Sequence, residues 1–149
     1  MRIEVEAEPE LPPVTGEETE LTQLVQNLVD NAIKYGRANT PVRVTVAAAA
    51  GELPVKIAGP AVSVAVSDQG EGIPEEHIPR LTERFYRVDT GRSRELGGTG
   101  LGLAIVKHVL NRHRGAMHVE SEIGRGSTFT IYLPAAPAAN SNDRKRPAG

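Results

Sequence analysis

Apolar residues recur at helical spacing in two stretches of this chain and at alternate positions in several shorter ones. Between Glu18 and Tyr35, Leu21, Leu24, Val25, Leu28 and Ala32 fall at i, i+3, i+4, i+7 and i+11, one face of a helix. Thr99 to Arg114 repeats the signature with Leu101, Ala104, Ile105 and Val109, and Gly115 stands where a left-handed C-terminal cap is expected. Ile3 and Val5 alternate against Arg2, Glu4 and Glu6, which predicts a short strand ahead of the turn-like stretch from Pro9 to Gly16. Val42, Val44 and Val46, then Val62, Val64 and Val66, predict two strands around a loop containing Gly51, Pro54, Gly59 and Pro60. The second of these strands runs into Asp68. His118 to Glu122 and Thr128 to Leu133 surround Gly124-Arg125-Gly126 and predict a hairpin that Pro134 ends.

A length of 149 residues fits one domain, which buries about two-thirds of the surface its unfolded chain exposes. The domain is expected over residues 1–134. The remaining AAPAANSNDRKRPAG, residues 135–149, has little to bury and is expected to be a disordered tail. With 17 Lys plus Arg against 19 Asp plus Glu, and no long basic block, general nucleic-acid binding is not expected. The absence of cysteine excludes a disulfide framework and a thiolate metal site, and suits a reducing cytosol. No signal-peptide core occurs, nor an apolar run near the roughly 20 residues that span a bilayer, so a soluble, cytoplasmic piece is expected.

Three groups of residues carry candidate chemistry. Asn27, Asn31 and Lys34 lie at i, i+4 and i+7 on the first helix and share a face beside the apolar stripe. An asparagine oxygen is a hard neutral ligand suited to Mg²⁺, which binds phosphates while keeping several waters, and Lys34 could meet such a phosphate. A solvated helix face is the other reading of this spacing. DQGEGI, Asp68 to Ile73, follows a strand with an acceptor-only carboxylate and two glycines, Gly70 and Gly72, that permit a tight turn. An adenine amino group could donate to Asp68, whereas guanine would set a carbonyl against it. A plain surface turn is also open. In GGTGLGL, Gly97 to Leu103, glycines open the second helix, where unpaired N–H groups and the helix dipole favour an anion such as a triphosphate.

No G-x-x-x-x-G-K-[ST] is present, and GGTGLGL lacks the third glycine of G-x-G-x-x-G. The ordered series QNLVDNAIKY, DQGEGI, ERFYRVD, GGTGLGLAIVK and GRGSTF instead resembles the N, G1, F, G2 and G3 boxes of the catalytic ATP-binding domain of bacterial sensor histidine kinases. That resemblance covers roughly residues 1–134. It implies an α/β (α+β) two-layer sandwich of the Bergerat type, a mixed sheet covered on one face by about three helices, with a mobile ATP lid between Ile73 and Gly98. It further implies ATP and Mg²⁺ as cofactors, Asn31 as metal ligand, Lys34 and Arg87 at the phosphates, Tyr35 flanking the nucleotide and Asp68 reading adenine. Asn27 joins Asn31, Lys34 and Arg87 as the catalytic group. Nucleotide contacts are implied for Asn27, Gly70, Gly72, Ile73, Tyr86, Gly98, Thr99, Gly100, Leu101, Gly102 and Thr128, and Phe85 with Tyr86 would anchor the lid.

One departure is visible, Thr82 where the family usually has an aromatic residue before ERFYR. Gyrase-type, Hsp90-type and mismatch-repair ATPases resemble the same motifs but place a water-activating glutamate one turn before the metal-binding asparagine. Asn27 stands there in this chain, and an amide cannot serve as that base. The resemblance therefore implies transfer of the γ-phosphoryl group to a histidine on a separate dimerisation domain, and onward to a response regulator. His77, His108, His113 and His118 lack the setting of such an acceptor, and His108, His113 and His118, five apart and not at the i, i+4 of a helical zinc pair, are expected to be exposed or edge histidines. The fragment would be a monomer that cannot autophosphorylate alone, its parent a homodimer anchored in the inner membrane. An anti-sigma-type serine kinase and a non-catalytic nucleotide-sensing module are the competing expectations.

Overall fold

The computed structural model describes residues 3–37, 39–49, 53–57, 59–73, 76, 78 and 102–136. In chain order the elements are β1 (Ile3–Ala7), α1 (Glu18–Tyr35), β2 (Val42–Ala49), β3 (Ala61–Asp68), α2 (Gly102–Arg112), β4 (Ala116–Glu122) and β5 (Gly126–Pro134). The strands form one mixed sheet in the order β1-β2-β3-β5-β4, in which β1 pairs parallel with β2 and every other pairing is antiparallel.

Alternation decides which face of the sheet the helices cover. Val42 and Val44 on β2, Val64 and Val66 on β3, and Phe129, Ile131 and Leu133 on β5 form a single cluster with Leu24, Leu28 and Ala32 of α1 and Val106, Val109 and Leu110 of α2. Both helices therefore lie on one side, as a two-layer α/β arrangement requires. Burying each of Leu24, Leu28 and Ile131 contributes about 2 kcal/mol. The third, lid-associated helix expected from the sequence falls outside the described residues.

Caps set the helix ends. Glu17 is the N-cap of α1, and its carboxylate accepts the Glu20 N–H at 2.7 Å. The end of α2 departs from expectation, because the left-handed residue is Arg114, at φ 59, and not Gly115. Gly115 N–H donates to Leu110 O and Arg114 N–H to Asn111 O, the paired bonds of a Schellman motif whose left-handed position is Arg114. Gly115 is required for space: a Cβ there would lie 2.6 Å from Tyr132 O. The chain past Pro134 stays attached for two residues, since Ala135 bridges Val14 and Ala136 N–H donates to Pro13 O.

Candidate functional site

The helices are antiparallel neighbours. Arg112 Nε of α2 lies 3.0 Å from Glu20 Oε1 of α1, and the Glu17 N–H donates to His113 Nε2 at 3.0 Å, so the end of α2 meets the start of α1. At about 1.5 Å per residue, Asn31 lies about 16 Å along α1 from Glu20, and Gly102 about 15 Å back along α2 from Arg112. The Asn31 end of α1 thus stands level with the glycine-rich start of α2. Glu20, Asn27, Asn31 and Lys34 follow i, i+7, i+11 and i+14 in one row along α1, and Glu20 in that row reaches α2.

The sheet brings Asp68 to the same end. The chain turns from the end of α1 into Val42, and Arg43 pairs with Ser67, which sets Asp68 level with the first residue of β2. Asp68 continues the inward series Val62, Val64 and Val66 and is 7 % exposed. Gly70 N–H donates to its Oδ1 at 2.8 Å, and the Ser127 N–H also donates to the carboxyl. Burial raises the Asp68 carboxyl above its ordinary pKa, and these two donors pull it part of the way back.

The loop after Asp68 is clasped by the β4–β5 hairpin. Ile73 N–H donates to Ser121 Oγ at 2.7 Å, and Gly124 N–H donates to Glu71 O at 2.8 Å. Ser121 Oγ in turn donates to Gly126 O and lies 2.8 Å from Ser127 Oγ. Gly126 has φ +108 and its α-carbon lies against the Asp68 carbonyl, so a side chain there would overlap the main chain. Gly72, at φ +84, lies as closely against the Glu122 carbonyl. From the loop that follows α1, Arg37 Nη2 donates to Gly124 O, tying a third segment to the same end.

Of the sequence-predicted site residues, Asn31, Lys34, Asp68, Gly70, Gly72 and Ile73 lie toward this end, Asn27 lies in the middle of α1, and Tyr35 is the last residue of that helix. Gly102 opens α2. Tyr86, Arg87, Gly98, Thr99, Gly100 and Leu101 lie outside the described residues, as do Thr82, Phe85 and His77. Thr128 is on the other side of the sheet. It pairs with Ser67, and the two hydroxyl oxygens lie 2.7 Å apart on the face away from the helices. Ser127 is the register partner of Asp68, buried on the helix-covered face. The alternation of Phe129, Ile131 and Leu133, carried back two residues, points to 127 and not 128.

One buried polar atom stands out. Asn27 Nδ2 is inaccessible to solvent and has no hydrogen-bond partner among the described residues. An unpaired buried amide donor costs about 1–3 kcal/mol, which an acceptor brought by a ligand would recover.

Comparison with known proteins agrees with this architecture. Residues 16–137 match the family described as histidine kinase-, DNA gyrase B-, and HSP90-like ATPase. The phosphate regulon sensor protein PhoR of Pseudomonas aeruginosa is 44% identical over 148 residues, 98% of this chain and 30% of that protein. The sensor-like histidine kinase SenX3 of Mycolicibacterium smegmatis is 42% identical over 133 residues, 89% of this chain and 32% of that protein. The chain thus spans about a third of the length of these relatives. Among solved structures, the mycobacterial sensor histidine kinase MprB superposes with a TM-score of 0.68 at 30% identity, covering 91% of this chain and 83% of that one. Full-length ShkA in complex with AMPPNP gives 0.72 at 30% identity, covering 93% of this chain and 26% of that one. Sequence, fold and neighbours agree that the chain belongs to the histidine kinase-, DNA gyrase B- and HSP90-like ATPase family, on its sensor histidine kinase branch.

Proposed function

We propose that this chain binds Mg-ATP at the shared end of α1, β3 and α2 and transfers the γ-phosphoryl group to a histidine on a separate dimerisation domain, from which a response regulator takes it. The observation that carries the reading is the buried Asp68 carboxyl, an acceptor at the end of the sheet where the Asn31 end of α1 and the start of α2 meet. An adenine amino group would donate to it. The unpaired Asn27 Nδ2 fits a phosphate oxygen or a metal-bound water as its missing acceptor.

No group of three or more His, Cys, Asp or Glu side chains that could hold a metal occurs among the described residues. The donor set suits Mg²⁺ shared between the amide oxygen of Asn31 and the phosphates, a division this cation favours. When bound, the ion would neutralise phosphate charge. Lys34 would add a positive charge from the same row, and the amides opening α2 would meet the phosphate oxygens. The protein's task is positioning and charge neutralisation, as phosphoryl transfer demands.

Among the described residues no helix is long and apolar enough to cross a membrane. The chain is read as the cytosolic catalytic part of a longer, inner-membrane, dimeric sensor, monomeric and unable to autophosphorylate by itself. The test is to mix it with a separately produced dimerisation domain and labelled ATP. Label that is acid-labile and base-stable on the added domain is the expected result; acid-stable label would point to a serine kinase and overturn the assignment.

A further inference from the structure

We propose that His113 is a positioning residue for the nucleotide: its neutral imidazole pins the start of α1 to the end of α2 and so sets the spacing of the two helices at their far, nucleotide-binding ends. The inference rests on the nucleotide reading above. His113 Nδ1 lies 2.8 Å from Val109 O, and since a carbonyl only accepts, Nδ1 carries the proton. Nε2 is then a bare acceptor, and the Glu17 N–H donates to it at 3.0 Å. That N–H belongs to the N-cap of α1 and is one of the four that a helix start leaves without an intrahelical partner.

The surroundings are shaped to this contact. A Cβ on Gly16 would lie 2.6 Å from His113 Cδ2 and 2.9 Å from Nε2, so the ring lies directly on the backbone of residue 16. Beside it, Arg112 Nε and Glu20 Oε1 are 3.0 Å apart. Arg112, the last residue of α2, and His113 directly after it thus hold the N-cap and first turn of α1. From here both helices pack on a shared apolar cluster, and helix rise sets Asn31 and Gly102 about level at the opposite end. A ligand that bridges α1 and α2 there depends on their separation, and a small misplacement weakens every contact made across it.

Mg-ATP affinity and thermal stability of the full chain separate the possibilities. Calorimetric titration should be run well below the melting temperature of every variant. His113→Ala should weaken Mg-ATP binding by about three- to tenfold, the equivalent of one lost hydrogen bond. His113→Gln, whose side-chain oxygen can accept the Glu17 N–H, should restore most of the loss. Gly16→Ala, whose Cβ would also lie 2.7 Å from Leu21 Cδ1, should weaken binding in the same direction by displacing the ring, and combined with His113→Ala should cost less than the sum of the two, because part of each acts through one contact. A His113→Ala chain that melts earlier yet binds Mg-ATP like the unaltered protein would show a purely structural role and overturn the inference. No binding by the unaltered chain would instead overturn the nucleotide reading, and this inference with it.

Discussion

Replacing Gly126 by Ala, with Gly124→Ala as control, measures how firmly the hairpin holds the Asp68 main chain. Both glycines have positive φ, +108 and +87, but a Cβ on Gly124 meets nothing within 4 Å, whereas one on Gly126 overlaps the Asp68 carbonyl oxygen and lies 2.9 Å from both the Asp68 carbonyl carbon and Gln69 Cα. The conformational penalty is about 1–2 kcal/mol in each case. Reduced freedom of the unfolded chain returns about 0.4–1 kcal/mol of it. Gly126→Ala alone adds a collision with backbone atoms, which have no rotamer to escape into, and overpacking of this kind costs about 1–3 kcal/mol. The expected losses are therefore about 1 kcal/mol for Gly124→Ala and about 3 kcal/mol for Gly126→Ala. At about 3 °C per kcal/mol for a chain of this size, scanning calorimetry without nucleotide should find melting temperatures lower by about 3 °C and about 9 °C. Gly126→Ala should also lose Mg-ATP affinity. Two variants melting within about 2 °C of each other would refute the close approach on which the argument depends.

Asp68→Asn tests the buried carboxyl. Its folded-state pKa is raised above the ordinary 3.8, so between the two values the folded chain keeps a proton the unfolded chain has lost. The stability this contributes is present below that window and disappears as pH rises through it. The Asn variant, which cannot ionise, should melt higher than the unaltered chain at neutral pH, with the advantage shrinking toward about pH 4; an advantage independent of pH would contradict the linkage. The same variant should lose ATP binding, stability rising as function falls. Arg114→Gly relieves a left-handed side chain at φ 59 and should raise stability by about 1 kcal/mol, read from denaturant midpoints. Leu28→Ala, at a position 2 % exposed in the core, should cost about 2–5 kcal/mol with no change in the Mg²⁺ dependence of whatever binding remains.

Most of the architecture could be read from spacing. The stripe from Leu21 to Ala32 and the alternating valines of β2 and β3 each answer to one buried face, and local sequence records that directly. The parallel pairing of β1 with β2 could not be read, because Ile3 meets Val42 across the whole of α1. Ile3 and Val5 alternate correctly, yet are 45% and 66% exposed at the sheet edge, so their pattern marks a strand without a core. Among the site residues, Asp68 is legible as the end of an inward series, while Thr128, implied only by the family resemblance, has the strand parity of the face away from the helices. His113, expected to be an exposed or edge histidine, is half-buried and accepts a hydrogen bond from a residue 96 positions away. Nothing local encodes such a contact. The left-handed Arg114 leaves no local signal, because Gly115 beside it is the residue type that usually takes that role.

The strand order has a consequence for assembly. β5 is inserted between β3 and β4, so Val64 finds its register partner in Ile131 and the sheet cannot close until residues 126–134 arrive. Before then β3 presents an unpaired, valine-rich edge, the kind of surface on which chains aggregate. Such sequence-distant pairing also slows folding, because loop entropy is lost before the contacts that compensate it form. A chain cut short of β5 would keep β1, β2 and β3 paired, but would lose Phe129, Ile131 and Leu133 from beneath the helices and leave β4 with no strand to join.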